Sequence, residues 1–464
     1  MKYRRFLSGL LVTLLLTALC LLPVAATEST DMLPVPQIEA TAALLLELNS
    51  GTVLFEQNAD ERVYPASLTK IMTCFLTLEM GNLSDTVTVS ETALENLDIS
   101  GSSAGLLAGE TMSLENLLYC MMLSSANEAC NVAAEHTAGS IDAFIQLMNE
   151  RAAQLGCTGT HFANTHGLHD EEHYTTARDL ALIAQAAMEN HTFRTIVSAA
   201  SYVVPETDMA AARKLTTTNQ LIIPKQGNTY YDKRVTGIKT GFTTPAGRCL
   251  AAAAEDGTLS LLSVVFGCET RILESGDLEF ASFPETEKLL DYGFANFTFQ
   301  TVLTTLYPVA EIPVSRSAGA NFVSLAPKSE ISALLPSDYD ADSIIYTTSL
   351  VSKEGVSAPV AAGDELGSIT LSYNGKELGS TELVAITSVE RATLLTYLNP
   401  RRYATQAWLR IVLLTLICLC LLLIVLNGVR KHVKRKQEQK QRRLRRMQRT
   451  SEHNLGSNDW FERE

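Results

Sequence analysis

Residues 63–78 read Val63-Tyr64-Pro65-Ala66-Ser67-Leu68-Thr69-Lys70-Ile71-Met72-Thr73-Cys74-Phe75-Leu76-Thr77-Leu78. Pro65 precedes a largely apolar run, so Ser67 to Leu78 reads as a helix with its start at the serine. A spacing of three puts the Ser67 hydroxyl and the Lys70 amine on one helical face. A serine at its ordinary pKa is a poor nucleophile and needs an adjacent base. A lysine serves as that base only when burial or a neighbouring cation lowers its own pKa. The helix N-terminus adds backbone N–H groups suited to developing negative charge.

Outward from this helix, the chain predicts a sheet interrupted by helices. On the N-terminal side, the apolar runs Ala42–Leu48 and Thr52–Gln57 are separated by Asn49-Ser50-Gly51, a hairpin signal. On the C-terminal side, residues 85–155 are mostly helical in pattern, with runs at Ser113–Met122, Ala129–His136 and Ile141–Leu155. Thr175–Met188 is a further helix. From Arg234 the texture changes: Ile238, Leu250–Ala254 and Leu259–Phe266 read as buried strands divided by Gly241, Gly247 and Gly257. Strands on both sides of a helical block predict an α/β (α+β) domain, a sheet with a helical insertion. A second unit, residues 292–390, shows short strand-like runs at Ile344–Val351, Ser368–Tyr373 and Leu378–Ile386, with no helical period. Asn374-Gly375 between the last two is the strongest hairpin signal in the chain, so 292–390 reads as a small all-β domain.

The ends of the chain carry a different message. Residues 1–26 have basic Lys2, Arg4 and Arg5, an apolar stretch from Phe6 to Leu22, and small Val24-Ala25-Ala26, the layout of a secretory signal peptide; an uncleaved N-terminal anchor is the alternative. Residues 411–426 form an unbroken uncharged run, and extending it to 408–429 gives 22 residues, at ~1.5 Å per residue long enough to cross a bilayer as a helix. Trp408 marks one interface, and Arg430, Lys431, Lys434, Arg435 and Lys436 crowd the other. Residues 430–464 hold 12 Lys/Arg against 5 Asp/Glu. The positive-inside rule therefore predicts a basic cytoplasmic tail at 430–464 and an extracytoplasmic body, with 391–407 as a stalk. The basic tail also suits anionic lipid or a cytosolic partner. The whole chain of 464 residues has a net charge of -14, so the acidic excess lies in the body, which argues against a nucleic-acid binder. Cys74, Cys120, Cys130, Cys157, Cys249 and Cys268 lie in that body without a close CxxC pair, and Cys74 and Cys120 read as small buried hydrophobes.

Two further elements accompany the Ser67–Lys70 pair. Ser125-Ala126-Asn127 falls in a polar break between apolar helices, where a helix cap is the simple alternative. Lys239-Thr240-Gly241 follows a strand; a cation beside a hydroxyl and a glycine suits a carboxylate with close backbone approach, and an exposed strand lysine is the alternative. Each element alone is weak. Together, in this order in an exported body, they form the trio known from penicillin-binding proteins and class A β-lactamases.

With this trio the chain resembles the low-molecular-mass penicillin-binding proteins, the D-alanyl-D-alanine carboxypeptidases of the S11 serine peptidase type. The stretches LNSGTVLFEQNADERVYPASLTKIMT, LLYCMMLSSANEACNVAAEH, GTHFANTHGLHDEEHYTTARDLALIAQA and VTGIKTGFTTPAGRCLAAAA carry the likeness, which covers residues 38–390. The resemblance implies a β-lactamase/transpeptidase-like catalytic domain at 38–285. It also implies roles: Ser67 as the acylated nucleophile, Lys70 as its base, and Ser125 and Asn127 lining the cleft. Lys239, Thr240 and Gly241 would bind the terminal carboxylate, and the backbone N–H groups of Ser67 and Phe242 would form the oxyanion hole. The implied partners are a peptidoglycan stem peptide ending in D-Ala-D-Ala and β-lactams as covalent inhibitors; no cofactor is implied. The chain departs from some relatives in having Phe242 rather than histidine after the glycine, and no arginine around Thr217-Thr218-Asn219. Its spanning segment also replaces the amphipathic anchor of many relatives.

His161, His166, His169 and His173, with Asp170, Glu171 and Glu172, form a competing constellation of metal-ligating residue types. Their spacing fits no standard zinc pattern, and a solvated loop beside the active site is the reading preferred here. Two rival functions remain: a β-lactamase, against which no E-x-x-L-N stands between Ser125 and Lys239, and a catalytically silent wall-peptide sensor, which would be free to lose Ser67, Lys70, Asn127 and Lys239.

Overall fold

The computed structural model describes residues 33–95, 97, 101–273, 276–393 and 407–453. The expected signal peptide at 1–26, most of the stalk and the end of the tail lie outside the described residues.

Two compact units emerge. The first spans the chain to Val302 and takes back Ser332–Ile345; the second holds Leu303–Ile331 and Tyr346 onward. In the first, five antiparallel strands form one sheet: β1 (Ala42–Glu47), β2 (Val53–Gln57), β3 (Val235–Thr243), β4 (Gly247–Asp256) and β5 (Leu259–Cys268), in the order β2-β1-β5-β4-β3. Because side chains alternate across a strand, each strand feeds two cores. Leu44, Leu46, Ala251, Ala253, Leu262 and Val264 face the helical block. Leu45, Leu250, Ala252, Leu261 and Val265 face Phe283, Leu289 and Leu290 on the other side. Both faces are covered, so the strands read as unbroken apolar runs.

The helical block lies between β2 and β3 in sequence: α1 (Thr69–Met80), α2 (Leu114–Leu123), α3 (Asn127–Ala138), α4 (Ile141–Gln154), α5 (Ala177–Glu189) and α6 (His191–Val197). Helix α1 is buried from Thr69 through Thr77, an interior element rather than a surface one. Side-chain caps start its neighbours: Ser113 accepts from the Asn116 N–H at 3.2 Å, and Thr176 from the Asp179 N–H at 3.0 Å.

One element was not anticipated. Helix α7 (Ser282–Asn296) covers the outer face of the sheet; the sequence reading assigns no helix to 282–291 and places 292–296 at the start of the β domain. Gly293 near its end breaks the helical pattern, and contact with the sheet requires it: a Cβ there would fall 2.5 Å from Leu261 Cδ1.

The second unit is built on a six-stranded sheet. Its strands β6 (Ala310–Ser315), β7 (Phe322–Pro327), β8 (Ile344–Leu350), β9 (Val356–Ser357), β10 (Glu365–Tyr373) and β11 (Lys376–Ala385) follow the order β8-β10-β11-β7-β6-β9. The hairpin between β10 and β11 turns on Asn374 and Gly375 at φ of 50° and 79°, the two left-handed residues of a type I′ turn. Ile312, Leu325, Ile369, Leu371 and Leu383 form its core. A helix of 47 residues, Ala407–His453, contains one stretch long and apolar enough to cross a membrane, with exposed leucines and isoleucines from Ile411 onward.

Candidate active site

The turn that carries Ser67 is a short 3-10 segment, Ala66–Leu68, set directly before α1. Ala66 sits at φ +47°, a left-handed conformation that disfavours a residue with a Cβ and persists only when its surroundings hold it. Two glycines do so. A Cβ on Gly167 would lie 1.8 Å from the Ala66 carbonyl oxygen, and one on Gly241 would lie 3.2 Å from the Ser67 nitrogen. The backbone of two distant segments is thus pressed against the serine turn. Thr69 Oγ1 donates to the Ala66 carbonyl at 2.8 Å and in turn contacts His173 Nε2 at 2.7 Å.

Lys70 is fully buried beneath Ser67. Its Nζ lies 3.0 Å from Ser67 Oγ, 2.8 Å from Asn127 Oδ1 and 2.7 Å from the His166 carbonyl oxygen. The last two atoms accept and cannot donate, so each takes a hydrogen from the amine. When the amine is neutral, its lone pair is left for the Ser67 hydroxyl. Burial holds the Lys70 pKa below that of an ordinary lysine, with Glu128 opposing. Lys239 is also buried, and burial followed by the Lys70 charge brings it down to about 7. Desolvation is the first cause at both, and the neighbour's charge is felt mainly at Lys239.

Ser125 and Asn127 flank the start of α3, Ser125 at φ +59°. They face Thr240, Gly241 and Phe242 of β3 across a cleft of about 530 Å³ that Ser67, Gly167 and Thr218 also line. Lys239 lies under that strand rather than in the cleft wall, and its Nζ donates to the Thr240 carbonyl at 3.2 Å. Thr240 and Thr218 share a hydroxyl–hydroxyl hydrogen bond. β3 is an edge strand, so it offers unpaired backbone groups toward the cleft. Phe242 is 49% exposed.

Sequence reasoning missed the His166 carbonyl, Gly167 and the Thr69–His173 brace. The His166-Gly167 dipeptide was a signal, since a glycine beside a polar residue marks a close backbone approach. The histidines do not converge. His173 Nδ1 accepts from the Ala163 N–H at 2.9 Å, and His166 Nδ1 from the Leu168 N–H at 3.2 Å. His169 packs edge-on against Tyr64, and His161 hydrogen-bonds the Glu172 carbonyl. Burial pushes His166 and His173 down to about 3, so both are neutral. Among the described residues, no group of three or more His, Cys, Asp and Glu is arranged to hold a metal.

The profile of the D-alanyl-D-alanine carboxypeptidase family (Peptidase_S11) matches residues 27–270, and that of the penicillin-binding protein 5 C-terminal domain matches 307–391. D-alanyl-D-alanine carboxypeptidase DacF of Bacillus subtilis is 31% identical over 367 residues, covering 78% of this chain and 88% of that protein. DacC of Escherichia coli is 33% identical over 376 residues, covering 76% and 85%. Penicillin-binding protein 5 of Haemophilus influenzae superposes with a TM-score of 0.57 at 29% identity, covering 77% of this chain and 100% of that one. With this agreement over both units, the chain belongs to the D-alanyl-D-alanine carboxypeptidase family of serine peptidases, the low-molecular-mass penicillin-binding proteins.

Proposed function

We propose that this chain removes the terminal D-alanine from peptidoglycan stem peptides through an acyl-enzyme on Ser67. The peptide adds along the free edge of β3, with its scissile carbonyl over the serine. Lys70, its pKa lowered by burial, takes the Ser67 proton as the oxygen attacks. D-alanine leaves, and water releases the shortened peptide. The backbone N–H groups of Ser67 and Phe242 hold the oxyanion, with Gly241 allowing the two segments to approach. Ser125 and Asn127 hold the substrate amide and relay protons, and Lys239 and Thr240 favour the terminal carboxylate. β-Lactams acylate the same serine. The observation that carries this reading is the Lys70 amine, 3.0 Å from Ser67 Oγ with its other two contacts taken by obligate acceptors.

The same reading gives the chain a cleaved signal at 1–26, a catalytic domain at 38–285 and a β domain at 292–390. A spanning helix at 408–429 then leaves the body outside the cytoplasm and the basic tail within. The test is D-alanine release from a stem pentapeptide by the full chain in detergent, beside its Ser67→Ala form. Release and fluorescent-penicillin labelling are both expected to fall by about 10⁴-fold or more in the variant. Labelling retained by Ser67→Ala overturns the assignment.

A further inference from the structure

Arg248, at the start of β4, is cross-strand partner to Phe242 and lines the same cleft as Ser67. Its guanidinium is clamped between two rings, with Cζ 4.0 Å from the Phe242 centroid and 3.8 Å from that of Phe280. Nε donates to Thr270 Oγ1 at 3.0 Å. Such stacking fixes the side chain and leaves its charge in place. Among the described residues it enters no ion pair, whereas Arg151, Arg178, Arg213, Arg234 and Arg271 each meet at least one carboxylate. Burial opposes its ionisation, and among the described residues no carboxylate pairs with it to offset that cost. An immobilised, half-buried guanidinium without a counter-ion, on the wall of a peptide cleft, is arranged for an anion that arrives with the ligand.

We propose that Arg248 is a specificity-determining residue that binds a carboxylate of the substrate peptide, an inference that rests on the carboxypeptidase reading above. Two sources share this chemistry: the peptide's terminal carboxylate, or an acidic side chain further back in the stem. Phe242 and Phe280 act as its rails, and the guanidinium fork supplies the directional contact.

Three peptides separate the sources, each tested on the full chain and on Arg248→Gln and Arg248→Lys: one with both carboxylates, one with the side-chain carboxylate neutralised, and one with the terminal carboxylate capped as its amide. For the first, KM is expected to rise about tenfold or more in Arg248→Gln, as for loss of a charged hydrogen bond, with kcat within about twofold. Arg248→Lys is expected to recover part of the loss. If capping the terminus abolishes the difference between wild type and variant, the terminal carboxylate is the ligand; if neutralising the side chain does, the side chain is. An equal loss on all three peptides, or none on any, overturns the proposal. Absence of D-alanine release by the wild-type chain would instead sink the carboxypeptidase reading itself. Thermal midpoints of the variants report whether the fold has survived.

Discussion

The two units bury very different things. In the second, the described residues bury only Ser317 and Thr381 as polar side chains, and the rest of the interior is aliphatic. In the first, Lys70 and Lys239 are buried together with Glu110, Glu128, Asp179 and Glu285. The acids there are satisfied: Glu110 by Arg213 at 2.6 Å, Glu285 by Lys288 at 2.9 Å, Glu128 by the Ser103 hydroxyl and the Ala104 N–H, and Asp179 by Gly159 and Thr160. Neither lysine has a carboxylate at ion-pair distance among the described residues. A buried charge without a counter-ion is a cost in stability, and the fold carries it only where the chemistry needs a reactive amine. The second unit has no such need and shows no such cost.

That contrast can be broken most severely at Lys70. Lys70→Met is expected to lower the rate of penicillin acylation by about 10³-fold, the loss of a general base. Because it replaces a desolvated amine with an apolar side chain of similar length, the thermal midpoint is expected to hold or rise. A large fall in midpoint would show that the amine stabilises the fold, and the contrast would fail. In the second unit the signs reverse. Leu371→Ala, at a fully buried core position, is expected to cost about 2–5 kcal/mol, measured by denaturant unfolding, and to leave D-alanine release from a soluble peptide unchanged.

A further effect is pH-dependent and confined to the first unit. His166 and His173 titrate at about 3 in the fold against 6.5 for a free histidine. The unfolded chain therefore binds protons first, and stability falls as pH drops from 6.5 toward 3, by up to about 1.4 kcal/mol per unit for each histidine. A thermal midpoint for the first unit that stays flat across this window would show that the buried imidazoles are not the cause.

What the sequence disclosed follows from the range of each interaction. The Ser67–Lys70 spacing, the alternation-free strands β1, β4 and β5, and the Asn374-Gly375 turn are local, and each was legible. Helix α7 was not, because Gly293 weakens its pattern for the sake of Leu261, a residue on a distant strand. The 3-10 turn at Ala66–Leu68 delayed the start of α1 to Thr69, since the serine turn is shaped by contacts from Gly167 and Gly241 that lie about a hundred residues or more further along the chain. Arg248 was invisible as a cleft residue, because only the Phe242 and Phe280 rings reveal where its side chain goes.

The backbone pressed against Ala66 has a practical consequence. The reactive serine is assembled from segments near positions 66, 127, 166 and 241, so no fragment that lacks one of them, and no half-folded chain, contains it. Covalent capture by a fluorescent β-lactam would then count correctly finished molecules, turning an inhibitor into an assay of maturation.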